Sequence, residues 1–191
     1  MRIGVLASQG AFAEHIAILR RLKIDTVPVR LPQQLAKLDG LIIPGGESTS
    51  ISRIMLDYNL TDQIKRLARN GLPILGTCAG MILLAKEISN YDLAPLALMD
   101  ITVRRNAFGR QKDSFETELL VPVLGEEPFP GVFIRAPLIE RVENGVEVLA
   151  RLADGTSVAA RQGRLLAVAF HPELTDDLRL HRYFVDIIAG K

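Results

Sequence analysis

Cysteine is nearly absent: a single thiol, Cys78, stands in 191 residues, so no disulfide can form within the chain. Histidine is scarce, at three residues, and with one cysteine it offers none of the ligand spacing that a metal site needs. No apolar run approaches the roughly 18 residues of a membrane-spanning helix. The opening MRIGVLASQGAFAEH lacks the layout of a secretory signal. Neither sign of charge dominates, since 23 Lys and Arg against 22 Asp and Glu leave +1. That balance gives no large electrostatic footprint for nucleic acid or an anionic membrane. Repeats, low-complexity tracts and linkers are missing too. What remains is one globular domain over residues 1–191, expected in the cytoplasm. A chain of that length buries about 70% of its unfolded surface without a disulfide or metal staple.

Apolar runs alternate with helical periodicity through the first hundred residues. Ile3-Gly4-Val5-Leu6-Ala7 is a strand pattern. Phe12, Ile16 and Leu19 follow at helical spacing with Glu14 in the first turn, so a helix is expected over about 11–22. DTVPVR reads as an edge strand because of Pro28, QQLAKL as a short helix, and DGLIIPGG as a third strand. STSISRIML and TDQIKRLARN read as helices, the first capped by Ser48 and the second closed by Asn70-Gly71. LPILGT is a buried strand with AGMILLAKEI as the helix behind it. Such alternation predicts βαβ units on a parallel sheet. Beyond residue 100 the long helices disappear. ITVRRN, FETELLV and GVFIRAP read as strands, and VEVLARLADGTSVAARQGRLLAVAF as three more joined by turns at Asp154-Gly155 and Gln162-Gly163. A helix over about 176–189 closes the chain. The fold expected is α/β in three layers: a mostly parallel sheet flanked by helices, with an antiparallel section in the second half.

The single thiol stands in LPILGTCAGMILLAKEI, with Gly76 and Gly80 two residues to either side. A buried strand, a tight turn and a helix are the layout of a nucleophile elbow, and G-x-C-x-G is the thiol form of G-x-S-x-G. The glycines allow the sharp turn and let the following helix pack close. Cys78 then stands at the helix start, where free N–H groups and the dipole favour a thiolate. The N–H of Ala79 points at whatever the sulfur attacks. The other reading of Cys78 is a small buried hydrophobe, a common fate of a free cysteine.

A thiolate nucleophile needs a base. His15 falls in the first helical pattern and His181 in the last, and both read as ordinary surface residues. His171 follows the strand LLAVAF directly, in FHPE. Pro172 biases His171 toward an extended backbone, and in an extended chain residues two apart point the same way. Glu173 is thereby expected to reach the imidazole and hold its tautomer, the task of the acidic member of a triad; otherwise H-P-E is a loop leaving a strand. In IIPGGES, Gly45-Gly46 ends the third strand at a place where backbone can approach a ligand closely. Parallel α/β sheets bind ligands outside the carboxyl ends of their strands, so the ends of LIIPGG, LPILGT and LLAVAF are expected to converge. Gly46 N–H then becomes an oxyanion donor beside that of Ala79, unless Gly45-Gly46 is a plain turn. No phosphate loop of the G-x-x-x-x-G-K-[ST] type is present.

Together, P-G-G near residue 45, G-T-C-A-G and H-P-E resemble the class I glutamine amidotransferases, which use a Cys-His-Glu triad. GGEST, RRNAFGRQKDSFE, GVFIRAP and FHPELT, spread over nearly the whole chain, are similar to the glutaminase subunits of pyridoxal 5′-phosphate synthase. The opening GVLASQGAFAEH resembles that family's GVL-LQGA--EH, with Ser8 where leucine is common. That departure touches a region expected to face a partner subunit.

The resemblance implies that Cys78 is the nucleophile, His171 the general base and acid, and Glu173 the residue that orients it. The backbone N–H groups of Gly46 and Ala79 form the oxyanion hole. Gly46, Glu47, Ser48, Arg105, Ile134 and Arg135 match the family's glutamine-binding positions. Guanidinium groups suit an amino-acid carboxylate, although Arg105 and Arg135 also read as solvated charge or partner contacts. The activity implied is hydrolysis of L-glutamine to L-glutamate and ammonia through a cysteine thioester, with no cofactor and no metal. The ammonia passes to a (β/α)8-barrel synthase subunit in a large hetero-oligomer, which makes pyridoxal 5′-phosphate from a pentose phosphate and a triose phosphate. The same elbow and triad could serve another amidotransferase or a γ-glutamyl peptidase, against which GGEST and RRNAFGRQ stand. A non-catalytic binding module is the remaining reading, against which the joint presence of Cys78, His171 and Glu173 stands.

Overall fold

The computed structural model describes residues 1–89, 91–92, 96–107 and 114–191. The first half runs β1 (Arg2–Leu6), α1 (Phe12–Arg21), β2 (Asp25–Val29), β3 (Gly40–Ile43), α2 (Ser48–Asp57), α3 (Leu60–Arg69), β4 (Ile74–Thr77), α4 (Ala79–Leu84) and β5 (Ala85–Ile88). The second continues with β6 (Met99–Arg104), β7 (Ser114–Leu119), β8 (Phe129–Ile134), β9 (Leu138–Val142) and β10 (Glu147–Arg151). β11 (Ser157–Gln162), β12 (Leu165–Val168) and α5 (Arg179–Ala189) complete the chain.

A parallel block runs β2-β1-β3-β4-β12. Its inner strands are almost wholly buried. With both faces covered, they read in sequence as near-continuous apolar runs rather than alternating ones. β2 lies at the edge, the position that tolerates Pro28. Past β12 the direction reverses. β11 is antiparallel to β12, β10 and β9 are antiparallel to β11, β6 is antiparallel to β9, and β5 is parallel to β6. β7 and β8 form a separate antiparallel pair. That pair is tied to the chain after β12 by the His171 N–H, which donates to the Val132 carbonyl at 2.8 Å.

Successive residues of a strand face opposite sides of its sheet, and on β4 this separates the helical layers. Gly76 faces α4, where an added Cβ would lie 2.6 Å from the Gly80 carbonyl. Thr77 faces the other way, its hydroxyl 3.2 Å from His15 of α1. Since His15 also meets His181 of α5 at 2.9 Å, α1 and α5 cover one face and α4 the other. The result is the three-layer α/β sheet expected from the alternation of strands and helices.

Some local expectations shift. The helix expected over AGMILLAKEI stops at Leu84, and Ala85–Ile88 is a strand. Every residue of α4 is buried, so a continued helix would carry Lys86 and Glu87 into the core, at a high desolvation cost. On β5 both find partners instead: Lys86 Nζ lies 2.8 Å from Asp100, and Glu87 lies 3.1 Å from Arg141. Ser48 is the first residue of α2 rather than its cap. Glu47 caps the helix, its carboxylate accepting the amides of Thr49 and Ser50 at 3.0 and 2.7 Å. QQLAKL contributes a single 3-10 turn, Pro32–Leu35. β9 is an additional strand, and the closing helix begins at Arg179. Phe108–Asp113 of RRNAFGRQKDSFE lie outside the described residues. Among those described, no helix is long and apolar enough to cross a membrane.

Gly80 seats α4 against β3: an added Cβ would stand 2.0 Å from the Ile43 carbonyl oxygen, backbone that cannot step aside. Gly80→Ala is expected to lower the unfolding free energy by about 3 kcal/mol, read as a fall in the urea midpoint. An unchanged midpoint would mean that the helix does not approach the strand this closely.

Candidate active site

Cys78 occupies the turn between β4 and α4 with φ 49° and ψ −101°. An L-residue rarely adopts that conformation. Its N–H donates to the Val168 carbonyl at the end of β12, at 2.8 Å. Gly76 behind it and Gly80 ahead of it have no room for a side chain. The turn is therefore held from three sides, by β3, α4 and β12, and the thiol itself stays largely buried. The sulfur lies 3.8 Å from the Ile134 carbonyl oxygen.

His171 stands just beyond β12, beside Cys78, both side chains lying against Gly45. Its Nδ1 lies 2.7 Å from Glu173 Oε1. The route to that contact differs from the extended chain expected: β12 ends at Val168, and Pro172–Leu174 form a 3-10 turn. The turn folds Glu173 back under the imidazole, where the carboxylate is fully buried. Burial pulls the His171 imidazole down, but the hydrogen bonds to Cys78 and Glu173 and the charges of both push it up to about 10. His171 is thus an imidazolium at neutral pH, ready to give a proton to a leaving group.

Gly45-Gly46 follows β3 beside this pair. An added Cβ at Gly45 would stand 2.3 Å from His171 Cε1. The Gly45 carbonyl accepts the Ala11 N–H at 3.2 Å. The peptide being trans, Gly46 N–H points away from Ala11. Adjacent strands β3, β4 and β12 thus carry the di-glycine, the thiol and the imidazole at their carboxyl ends.

A cleft of about 370 Å³ opens over the sulfur. It is lined by Gly46, Glu47, Ser48, Cys78, Arg105, Ile134, Arg135 and His171, all singled out in the sequence, together with Gln9, Ile82 and Asn106, which were not. Ala79 and Glu173 are buried and do not line the cleft. Gln9 accepts the Glu47 N–H at 2.8 Å. Both Gln9 and Asn106 stood within quoted motifs, but nothing in the sequence set them apart as cleft residues. Arg105 lies 3.4 Å from Glu47 and 4.1 Å above the Tyr91 ring. Burial raises the Glu47 carboxyl, but hydrogen bonds from Ser50 and Thr49 together outweigh it and hold the group at about 2. The cleft therefore offers a fixed negative group beside two guanidinium groups.

His15 and His181, read as surface positions, are both fully buried. They meet through His15 Nδ1 and His181 Nε2 at 2.9 Å. His15 Nε2 lies 3.2 Å from Thr77 Oγ1 and 3.3 Å from Glu173 Oε2. No sequence signal reveals this cluster, since it exists only where α1, α5 and β4 meet. Burial, then the charges of His181 and His171, hold His15 well below its ordinary value, and burial lowers His181 to about 4.

The model of the SNO glutamine amidotransferase family matches residues 5–189. A protein of Herpetosiphon aurantiacus named pyridoxal 5′-phosphate synthase subunit PdxT is 59% identical over 98% of this chain and 100% of its own length. One of the same name from Dehalococcoides mccartyi is 59% identical over 98% of this chain and 97% of its own. A crystal structure of a glutamine amidotransferase superimposes with a TM-score of 0.92, at 50% identity over 98% of both chains.

His171 has a folded-state value above its ordinary 6.5, so its pairing stabilises the fold fully below about pH 6.5, and that gain is lost as pH rises through about 10. Unfolding free energy is expected to fall across that interval. Cys78→Ala or Glu173→Gln should flatten the slope and lower the midpoint of the His171 ring resonances in an NMR titration. A midpoint near 6.5 in the unaltered chain would contradict the pairing.

Proposed function

The chain belongs to the SNO glutamine amidotransferase family, and on that premise we propose how its cleft hydrolyses L-glutamine and delivers ammonia for pyridoxal 5′-phosphate synthesis. The observation that carries the reading is the meeting of Cys78, His171 and Glu173 at the ends of β4 and β12, with His171 Nδ1 2.7 Å from Glu173 Oε1. With the shared proton already on His171, the Cys78 sulfur attacks the side-chain amide carbon of glutamine. Negative charge gathers on the former carbonyl oxygen, which the N–H groups of Gly46 and Ala79 receive. Preorganised donors of this kind are often the largest single contribution to such a step. His171 returns its proton to the nitrogen as the C–N bond breaks, and ammonia leaves a glutamyl thioester on Cys78. Water then gives a proton to His171 and attacks the thioester. The C–S bond breaks, glutamate departs, and the thiolate is restored. Glu173 keeps the imidazole in one orientation through both halves.

The substrate's remaining groups match the cleft in charge. Its α-ammonium suits Glu47, and its α-carboxylate suits the guanidinium groups of Arg105 and Arg135. Ser48 and Ile134 complete the walls. The whole chain, 1–191, acts as a single glutaminase domain in the cytoplasm. The relatives' name makes them subunits of a synthase, which supports a synthase partner for this chain. That partner is a (β/α)8 barrel in a large hetero-oligomer, where ammonia is used with a pentose phosphate and a triose phosphate. No cofactor enters the hydrolysis.

The test is glutamate release from glutamine by the purified chain, alone and with its synthase partner, beside Cys78→Ala. Release that rises with the partner and falls at least about a thousandfold in the variant is expected, as for loss of a nucleophile. Release retained by Cys78→Ala would place the chemistry on another residue. No release from either unaltered sample would leave a binding module as the better reading.

A further inference from the structure

The proposed reaction uses one oxygen of Glu173. The other, Oε2, is buried and lacks a well-aligned hydrogen bond, yet His15 Nε2 stands 3.3 Å from it. His15 comes from α1, on the face of the sheet opposite α4, and is completely buried. So is His181 of α5, whose Nε2 meets His15 Nδ1 at 2.9 Å. Two fully buried imidazoles at the back of a working carboxylate are costly to keep as packing alone, because apolar groups of similar size would need no partners.

The hydrogen-bond pattern selects one arrangement. Both rings are neutral, since burial disfavours their charged forms, so each carries one N–H. If His15 carried it on Nδ1, the donor would point to His181 Nε2. A bare Nε2 lone pair would then face Glu173 Oε2, and His181 would carry its proton on Nδ1, which has no partner. If both rings carry it on Nε2, each conflict disappears. His181 Nε2–H donates to His15 Nδ1, and His15 Nε2–H donates to Thr77 Oγ1 while facing Glu173 Oε2 off axis at 3.3 Å. A His181 lone pair is left unmet, and Glu173 Oε2 keeps this off-axis contact. An unmet acceptor is the milder defect, as buried orphan N–H groups are the rarer of the two.

We propose that His15 is a positioning residue for the glutaminase reaction: its Nε2–H holds the second oxygen of Glu173, and His181 locks His15 in that tautomer. The carboxylate is then faced on both sides, by a hydrogen bond from His171 Nδ1–H on Oε1 and by the off-axis His15 Nε2–H on Oε2. It cannot rotate about its terminal bond without losing one of them. The polar chain from the thiol thus runs Cys78–His171–Glu173–His15–His181, from the cleft through the sheet to α5. Outer partners of this kind orient the groups that touch the substrate, and losing one typically lowers activity by about 10–100-fold. The inference rests on Glu173 serving as the acid of the proposed triad.

Two measurements test it. The first is steady-state glutaminase kinetics, with the synthase partner present, for the unaltered chain, His15→Ala and His15→Gln. Glutamine can place an amide N–H near the position of the lost Nε2–H. kcat is expected to fall about tenfold or more in His15→Ala, with KM nearly unchanged, and to recover substantially in His15→Gln. A kcat in His15→Ala equal to that of the unaltered chain, or a His15→Gln no faster than His15→Ala, would overturn the proposal. The second needs no variant and no turnover: 15N-resolved NMR of the histidine rings in the unaltered chain. Both His15 and His181 are expected as Nε2–H tautomers at neutral pH, and an Nδ1–H His15 would overturn the proposal even if His15→Ala fails to fold. The two readings fail separately, since absence of glutamate release from the unaltered complex sinks the triad assignment, whereas the ring tautomer decides the role of His15.

Discussion

At Cys78 the chain holds φ 49° and ψ −101°, a backbone conformation that costs an L-residue about 1–3 kcal/mol. Such a conformation persists only where its surroundings over-determine it. Here β12 takes the Cys78 N–H, β3 receives Gly80 against the Ile43 carbonyl, and Gly76 lets α4 fold back onto β4. The strands that grip the turn are neighbours in the sheet. The same grip therefore sets the di-glycine after β3 and the imidazole after β12 on either side of the sulfur. The inner strands are apolar on both faces because helices must cover both faces, and the covered sheet gives the turn a rigid base. Local strain at one residue and the burial of the parallel block are two aspects of one constraint.

Charge in the buried layer is arranged around a single carboxylate. Three histidines lie within reach of one another, and their surroundings drive them apart. His171, paired with Glu173 and beside Cys78, is pushed up to about 10 despite its burial. His15 and His181 have burial working against the charged form without such compensation and are held neutral. One buried carboxylate thus supports one imidazolium, and the neighbouring rings serve as neutral dipoles. This division gives the cleft an acid at neutral pH without placing a second positive charge beside it. The exposed end of the cleft follows another logic. Glu47 is committed to capping α2, and its pairing with Arg105 forms part of the wall.

Sequence reading reached those features whose causes are local. The elbow was legible because two glycines flank the thiol between an apolar run and a helical pattern. The parallel sheet was legible because unbroken apolar runs alternate with amphipathic helices. The partnership of His171 with Glu173 was legible from their closeness in the chain, although a 3-10 turn rather than an extended strand brings them together. Features that depend on distant packing were not legible. His15 and His181 look like solvent-facing helical positions until α1 and α5 are laid against β4. The end of α4 at Leu84 depends on the partners that Lys86 and Glu87 find on β6 and β9, the latter strand itself unforeseen. Glu47 displaced Ser48 as the cap because its longer carboxylate reaches two amides at once. Gln9 and Asn106 enter the cleft through the loops that follow β1 and β6, whose courses the motifs do not specify.

In the proposed mechanism the strained turn exists to present Cys78 as the attacking atom. That role is tested most directly by quenching the chain with its synthase partner in acid during turnover of glutamine, then mapping the peptides by mass spectrometry. A single glutamyl group, attached as a thioester, is expected on the peptide that carries Cys78. Turnover with no adduct on that peptide, or an adduct on a different residue, would contradict it.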